Sequence, residues 1–212
     1  MSTVQAQQVL KPSDELIESA ISLLLSAMKD DSYMQVACGD DPSAREALAR
    51  MMILEGVYWG EFWTATEDDE LVGFMTWTPP HSEPAIPKDE RAKVVGPFMQ
   101  ALSEERRTYM SGLFSGEFPG FVAQCLGATG KHDGWWLRIA MVRPDRQGQG
   151  IARKLFEPMR RKAAERGEHI ACSTTAERNV AIYKALGFEL RGSRTFTSPW
   201  GDWGLWVFYQ KP

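Results

Sequence analysis

Hydrophobic positions recur along the chain with two periods, and the changes between them mark its elements. Residues 1–12 read as a short extended arm ending at Pro12. Ser13 is then a capping residue, with Asp14 and Glu15 favourably placed in a first helical turn. Leu16, Ile17, Ala20, Leu24, Ala27 and Met28 share one helical face, so the pattern predicts a helix to about Lys29. Asp41-Pro42 starts a second helix, because proline at the first helical position sacrifices no needed N–H. Its stripe is Ala44, Ala47, Leu48, Met51 and Met52, and Gly56 is the expected stop.

From there the pattern is that of strands. Phe62–Thr66 and Leu71–Thr78 are rich in β-branched and aromatic residues and flank the acidic turn 67–70, which predicts a β-hairpin. Pro79-Pro80 ends the second strand. Residues 81–132 read as largely irregular, with Pro84, Pro87, Pro97 and Pro119 and one helical stretch at about Phe98–Ser111. Tyr109, Phe114, Phe118 and Phe121 argue against disorder there. Regular structure resumes with a strand at Trp135–Val142, a helix over about Gly150–Arg166 and a strand at His169–Thr174. A helix over about Glu177–Leu186, stopped by Gly187, and two strands at about Phe188–Thr197 and Leu205–Gln210 close the chain. Pro158 lies inside the 150–166 helix, where the lost hydrogen bond and ring clash predict a kink. The order describes one mixed α/β domain over 1–212, with 79–134 as an insertion within it.

Composition narrows the class. Of 212 residues, 43% are hydrophobic and 25% charged, enough for a core without disulfide or metal staples. The formal net charge is −4, with no basic footprint for nucleic acid. Cys38, Cys125 and Cys172 are odd in number and far apart, and read as free thiols in a reducing cytoplasm. The N-terminus lacks the basic flank and apolar run of a signal peptide, and Ile21–Leu25 is far too short to cross a bilayer, so no membrane partner is expected. His81, His132 and His169 lack metal-ligand spacing, so no metal is expected. The eight tryptophans, Trp59, Trp63, Trp77, Trp135, Trp136, Trp200, Trp203 and Trp206, are the unusual feature.

The chemistry concentrates in Val142–Ala152, where a strand ends and Gln147-Gly148-Gln149-Gly150 leads into the helix marked by Ala152, Leu155, Phe156, Met159 and Ala163. Glycines let backbone N–H groups converge into a nest. The helix N-terminus adds about half a positive charge. Arg153 and Lys154 add more, giving an anion site suited to a pyrophosphate. A Gly-x-Gly turn alone is weak, since many bind nothing. The run is neither a Walker A loop nor the dinucleotide fingerprint. Gly112-Leu113-Phe114-Ser115-Gly116 places its serine one position too late for a nucleophile elbow. The second feature is Asn179-Val180-Ala181-Ile182-Tyr183 followed by Gly187-Phe188, a short helix with a glycine stop and a hydrophobic clasp.

Together these two segments resemble the GNAT superfamily of N-acetyltransferases. Gln147-Gly148-Gln149-Gly150-Ile151-Ala152 fits that family's (Arg/Gln)-x-x-Gly-x-(Gly/Ala) loop, and Tyr183-x-x-x-Gly187-Phe188 fits its later segment. The resemblance is specific over 135–190 and topological before it. It implies a GNAT fold: a mostly antiparallel sheet of about seven strands, flanked by helices, with a parallel splayed pair at the acyl-CoA site. The long insertion falls between the third and fourth strands. It implies acetyl-CoA as cosubstrate, with the pantetheine arm along Met141 and Val142. Gln147, Gly148, Gln149, Gly150, Ile151, Ala152 and Arg153 would form the pyrophosphate site, Asn179 would touch the arm, and Tyr183 would lie near the sulfur as the catalytic acid.

The reaction so implied is attack of an uncharged amine on a thioester, with a strand N–H steadying the oxyanion and a phenol protonating the leaving thiolate. Relatives often carry a strand carboxylate as base; Trp135–Val142 has none. A water relay, Glu61, His81, Asp133 and Asp202 all stay open as alternatives. The acceptor expected is a small-molecule amine, with the insertion narrowing its cleft or instead merely covering sheet surface or forming a homodimer contact. A protein or peptide acceptor and a catalytically silent acyl-CoA-binding module are the rivals. Most tryptophans are expected to be packing, with one or two of Trp77, Trp135, Trp136, Trp200 and Trp203 lining the acceptor pocket.

Overall fold

The computed structural model describes residues 4–82 and 86–212. Gln5–Gln8 forms β1, and Ser13 caps α1 (Asp14–Ala27) by accepting from the Leu16 N–H. A short helix absent from the sequence reading, α2 (Ser32–Cys38), follows at once, capped by the Asp31 carboxylate on the N–H groups of Tyr33 and Met34. Helix α3 runs Pro42–Trp59, so Gly56 does not end it. The hairpin is β2 (Glu61–Glu67) and β3 (Glu70–Thr78), with Asp68 and Asp69 both at positive φ in the turn.

The excursion corrects the reading of 81–132 as irregular. It carries α4 (Lys88–Ala101), α5 (Glu104–Gly112) and α6 (Phe118–Leu126), the last two joined by a π-helical turn at Leu113–Glu117. The single helix expected over Phe98–Ser111 is broken at Leu102, where Ser103 caps the next helix through the Arg106 N–H. Phe98, Met110, Leu113 and Val122 are all buried, and that burial outweighs the prolines and glycines suggesting loop. Pro84 belongs to 83–85, outside the described residues.

The rest follows the pattern closely: β4 (Trp135–Val142), α7 (Ile151–Glu165, unbroken through Pro158), β5 (Ile170–Thr174), α8 (Val180–Ala185), β6 (Glu189–Phe196) and β7 (Trp203–Gln210). The seven strands form one sheet ordered β1-β2-β3-β4-β5-β7-β6. Every neighbouring pair is antiparallel except β4–β5. Helices α1–α6 cover one face, burying Leu24, Leu48, Phe98, Phe74 and Trp203. Helices α7 and α8 cover the other, burying Leu155, Phe156, Trp77, Trp135 and Tyr183. Among the described residues, no helix is long and apolar enough to cross a membrane, and no three His, Cys, Asp or Glu side chains gather to hold a metal ion.

Candidate active site

Strands β4 and β5 pair over only three rungs, Trp135–Ile170, Trp136–Ala171 and Leu137–Cys172. Beyond Leu137, β4 continues to Val142 paired on its other edge with β3, and the edge towards β5 has no ladder partner. The parallel pair therefore splays, leaving backbone hydrogen-bonding groups lining a gap. Met141 and Val142 lie in the splayed part, half-buried and opposite Phe74 and Gly73 of β3.

At the mouth of the gap the chain turns through Pro144–Arg146 and enters α7. Gly148 and Gly150 stand at φ +75° and +77°. A side chain is strained in that left-handed region, and a Cβ at either would meet nothing within 4 Å, so backbone conformation rather than space calls for glycine. Gly150 occupies the N-cap position, and no side chain caps α7, which leaves its first N–H groups facing outward. The loop is tied down from below. Arg143 donates to Glu70 at 3.0 Å and Asp145 at 2.7 Å, and Arg146 pairs with Glu67. The acidic hairpin turn thus anchors the loop. The Gln147 amide donates to the Val142 carbonyl at 3.2 Å, and that of Gln149 to Asp145 at 3.4 Å. Arg153 spans to the Ala185 carbonyl at the end of α8, 3.1 Å away.

The second predicted segment meets the gap from β5. The Asn179 amide donates to Thr174 Oγ1 at 3.0 Å, holding the turn before α8 against the strand end. Tyr183 is 8% exposed, its ring 5.6 Å from Phe188 and 5.1 Å from Phe208. Burial, and secondarily the nearby Cys172 thiol, raises its phenol pKa well above the ordinary value. Cys172 is the last β5 residue paired to β4. The phenol therefore sits under the point where the strands part, and it holds its proton at neutral pH.

The candidate bases are not gathered there. Glu61 accepts from Trp63 Nε1 at 3.1 Å and pairs with Lys162 on the α7 face. His81 and Asp133 face each other at 3.8 Å before β4 begins, on the far side of the three rungs. Asp202 is exposed in the β6–β7 loop. A carboxylate that sequence reasoning passed over is present instead. Glu55 of α3, 8% exposed, pairs with Arg138, which also reaches Thr78 Oγ1 at 3.4 Å. Arg91 stands 3.9 Å from the same carboxylate. Arg138 is the first β4 residue past the last rung. It is also a bulge, since Thr76 pairs with Ile139 and Trp77 with Leu137. The signal was available: Glu55 extends the apolar stripe of Leu48, Met51 and Met52.

Four of the five tryptophans considered for an acceptor pocket, Trp77, Trp135, Trp136 and Trp203, are buried in the two cores. Trp200 is half-buried and lines an open cavity of about 550 Å³ with Pro199, Tyr109, Thr108, Glu104 and Glu105. Trp203 Nε1 donates to the Tyr109 hydroxyl at 2.9 Å, and the rings of Tyr109 and Trp200 meet edge-on at 5.8 Å. The excursion, through α5, thus supplies one wall of this cavity and the β6–β7 loop the other.

Comparison with known proteins fits this geometry. Residues 111–190 match the model of the acetyltransferase (GNAT) domain. Among solved structures, a protein described as histone acetyltransferase HPA2 and related acetyltransferase from Corynebacterium glutamicum is 18% identical, with TM-score 0.63 over 100% of this chain and 96% of its own. The Drosophila melanogaster polyamine N-acetyltransferase is 12% identical, with TM-score 0.60 over 99% of this chain and 100% of its own. A mosquito arylalkylamine N-acetyltransferase like 5b is 13% identical, with TM-score 0.61 over 98% and 100%. The fold is that of the GNAT proteins. The matched segment spans the loop, β4, α7 and β5.

Proposed function

We propose that the protein transfers the acetyl group of acetyl-CoA to the primary amine of a small molecule, by direct attack in a ternary complex. One observation carries the reading: the buried Tyr183 ring packs on Phe208, whose partner across the β5–β7 ladder is Cys172, at the last rung before β4 and β5 part. The chain's groups fit the cosubstrate. The N–H groups of 148–152 and the uncapped start of α7 suit a pyrophosphate, with Arg153 beside them. The open edge at Met141 and Val142 suits an extended pantetheine arm, and Asn179 borders the same gap. The amine nitrogen bonds to the carbonyl carbon, the C–S bond breaks, and the Tyr183 phenol gives its proton to the departing sulfur. The amine loses a proton in return, which reaches solvent.

A small amine is favoured by the cavity of Trp200, Tyr109, Glu104 and Glu105, where two carboxylates stand beside Tyr109 and attract a cation, although Arg106 already lies over the Trp200 ring at 4.2 Å. We place the activity in the cytoplasm, on the three unpaired cysteines. The test is thiol release from acetyl-CoA against polyamines, arylalkylamines, amino acids and peptides. Release with small amines is expected. Release with peptides alone would move the acceptor to proteins, and binding without release to any amine would make the chain a silent acyl-CoA-binding module.

A further inference from the structure

We propose that Glu55 is a positioning residue for the acyl transfer, holding the β4 bulge at Arg138 so that the backbone beside it addresses the thioester carbonyl. The inference rests on the reading above of an acetyl-CoA thioester in the β4–β5 gap. Arg138 is inserted between Leu137, the last residue laddered to β5, and Ile139, which pairs with Thr76 of β3, so the bulge falls where the β5-side edge opens. A bulge is a soft point in a strand, where peptide orientation depends on what holds its side chain. Here the side chain is held from α3: Glu55 pairs with Nη2 of Arg138, while Nη1 reaches Thr78 Oγ1 at 3.4 Å.

Glu55 is one of only two buried carboxylates among the described residues. The other, Asp31, is committed to capping α2 and to the Thr175 hydroxyl at 2.9 Å. Burying a carboxylate costs free energy that packing alone does not return, so such a group stays where its partner needs it. Glu55 and Tyr183 also lie on opposite faces of the sheet at the same level. Tyr183 stands beside Cys172, rung-mate of Leu137, and Glu55 holds the next residue, Arg138. The leaving-group side and the carbonyl side of one reaction would then each be fixed from a different helical layer. The small space between Glu55, Thr78, Arg91, Arg138 and Trp59, about 10 Å³, has room for one water at most.

The test uses Glu55→Gln, which keeps the shape, and Glu55→Ala, each with and without Arg138→Ala. Turnover should fall on the order of tenfold or more, as when a carbonyl-stabilising group is misplaced, with KM for acetyl-CoA within about threefold. The double variant should be no worse than the poorer single one, since both changes release the same bulge. The readout that a merely structural role would not move is the infrared stretch of carbonyl-labelled acetyl-CoA bound to the protein, without amine. It should lie below the free value in the natural protein and return towards it in Glu55→Gln. Should Glu55→Ala fail to fold, Glu55→Gln carries the test alone. A carbonyl stretch unmoved by Glu55→Gln, with acetyl-CoA still bound, overturns the proposal even if turnover falls, because Glu55 would then act on the amine. Additive losses in the double variant overturn it too. Failure of the natural protein to bind acetyl-CoA at all would instead remove the functional reading beneath it.

Discussion

Gly56 of α3 lies directly against Thr76 of β3: a Cβ on Gly56 would fall 2.6 Å from Thr76 Cγ2 and 2.9 Å from its Oγ1. This close approach of helix to sheet sets the reach of the neighbouring Glu55 to Arg138. Gly56→Ala should push α3 outward and cost about 1–3 kcal/mol, although alanine is the better helix former. A lowered midpoint in thermal unfolding checks it, and an unchanged or raised midpoint would show that α3 yields without strain.

The two loop glycines should separate strain from ligand contact. Gly150→Ala places a side chain at positive φ with open space around it, so the expected cost is about 1–2 kcal/mol of stability. Gly150→Asp adds a negative charge at the uncapped start of α7 and should abolish acetyl-CoA binding in calorimetry. Retained affinity in the aspartate variant would place the pyrophosphate elsewhere.

Tyr183→Phe removes the proposed proton donor while leaving the ring between Phe188 and Phe208. Turnover should drop by about 100-fold or more, with acetyl-CoA affinity nearly intact. Unchanged turnover would show that the thiolate leaves unaided.

Alkaline conditions should destabilise the fold in a defined order. Burial pushes the Cys38 thiol up to about 12 and raises Cys172 and Tyr183 well above their ordinary values. In the unfolded chain thiols lose their protons near pH 8.5 and phenols near pH 10. Above those values the unfolded state binds fewer protons than the folded one, so stability falls as pH rises. The midpoint should be flat with respect to these groups below about pH 8 and decline from about pH 8.5. Tyr183 keeps its proton over that range, so Tyr183 ionisation should produce no descending limb in turnover up to about pH 9.5. Unfolding midpoints and thiol release measured across pH 6–10 test both statements.

Much of this was legible because it is written locally. The nearly continuous apolar run of β4, the hairpin around its acidic turn and the glycine-bounded loop into α7 each depend on neighbours within a dozen residues. Helix α2 was not legible for the opposite reason. Tyr33, Met34, Val36, Ala37 and Cys38 are all buried, so it shows no one-sided stripe. The excursion misled through Pro97, Gly112 and Gly120, residues unfavourable to helices that tertiary packing nevertheless holds in α4, α5 and α6. At the site, the loop and Tyr183 were visible as motifs. The pairing of Glu55 with Arg138 joins residues 83 apart in the chain and appears only when α3 is laid on the sheet.

The three-rung join between β4 and β5 has a mechanical meaning. As a backbone ladder, the molecule is two β-sheets, β1 to β4 and β5 to β6, tacked together at one corner. A ligand lying along the open edges would act as a splint across that fracture line, and its occupancy would be felt by both half-sheets. Saturation at a hundred times Kd would add about 2.7 kcal/mol to the stability of the whole. If the acyl donor binds in this gap as proposed, the protein should be more compliant when the gap is empty and reinforced when it is loaded.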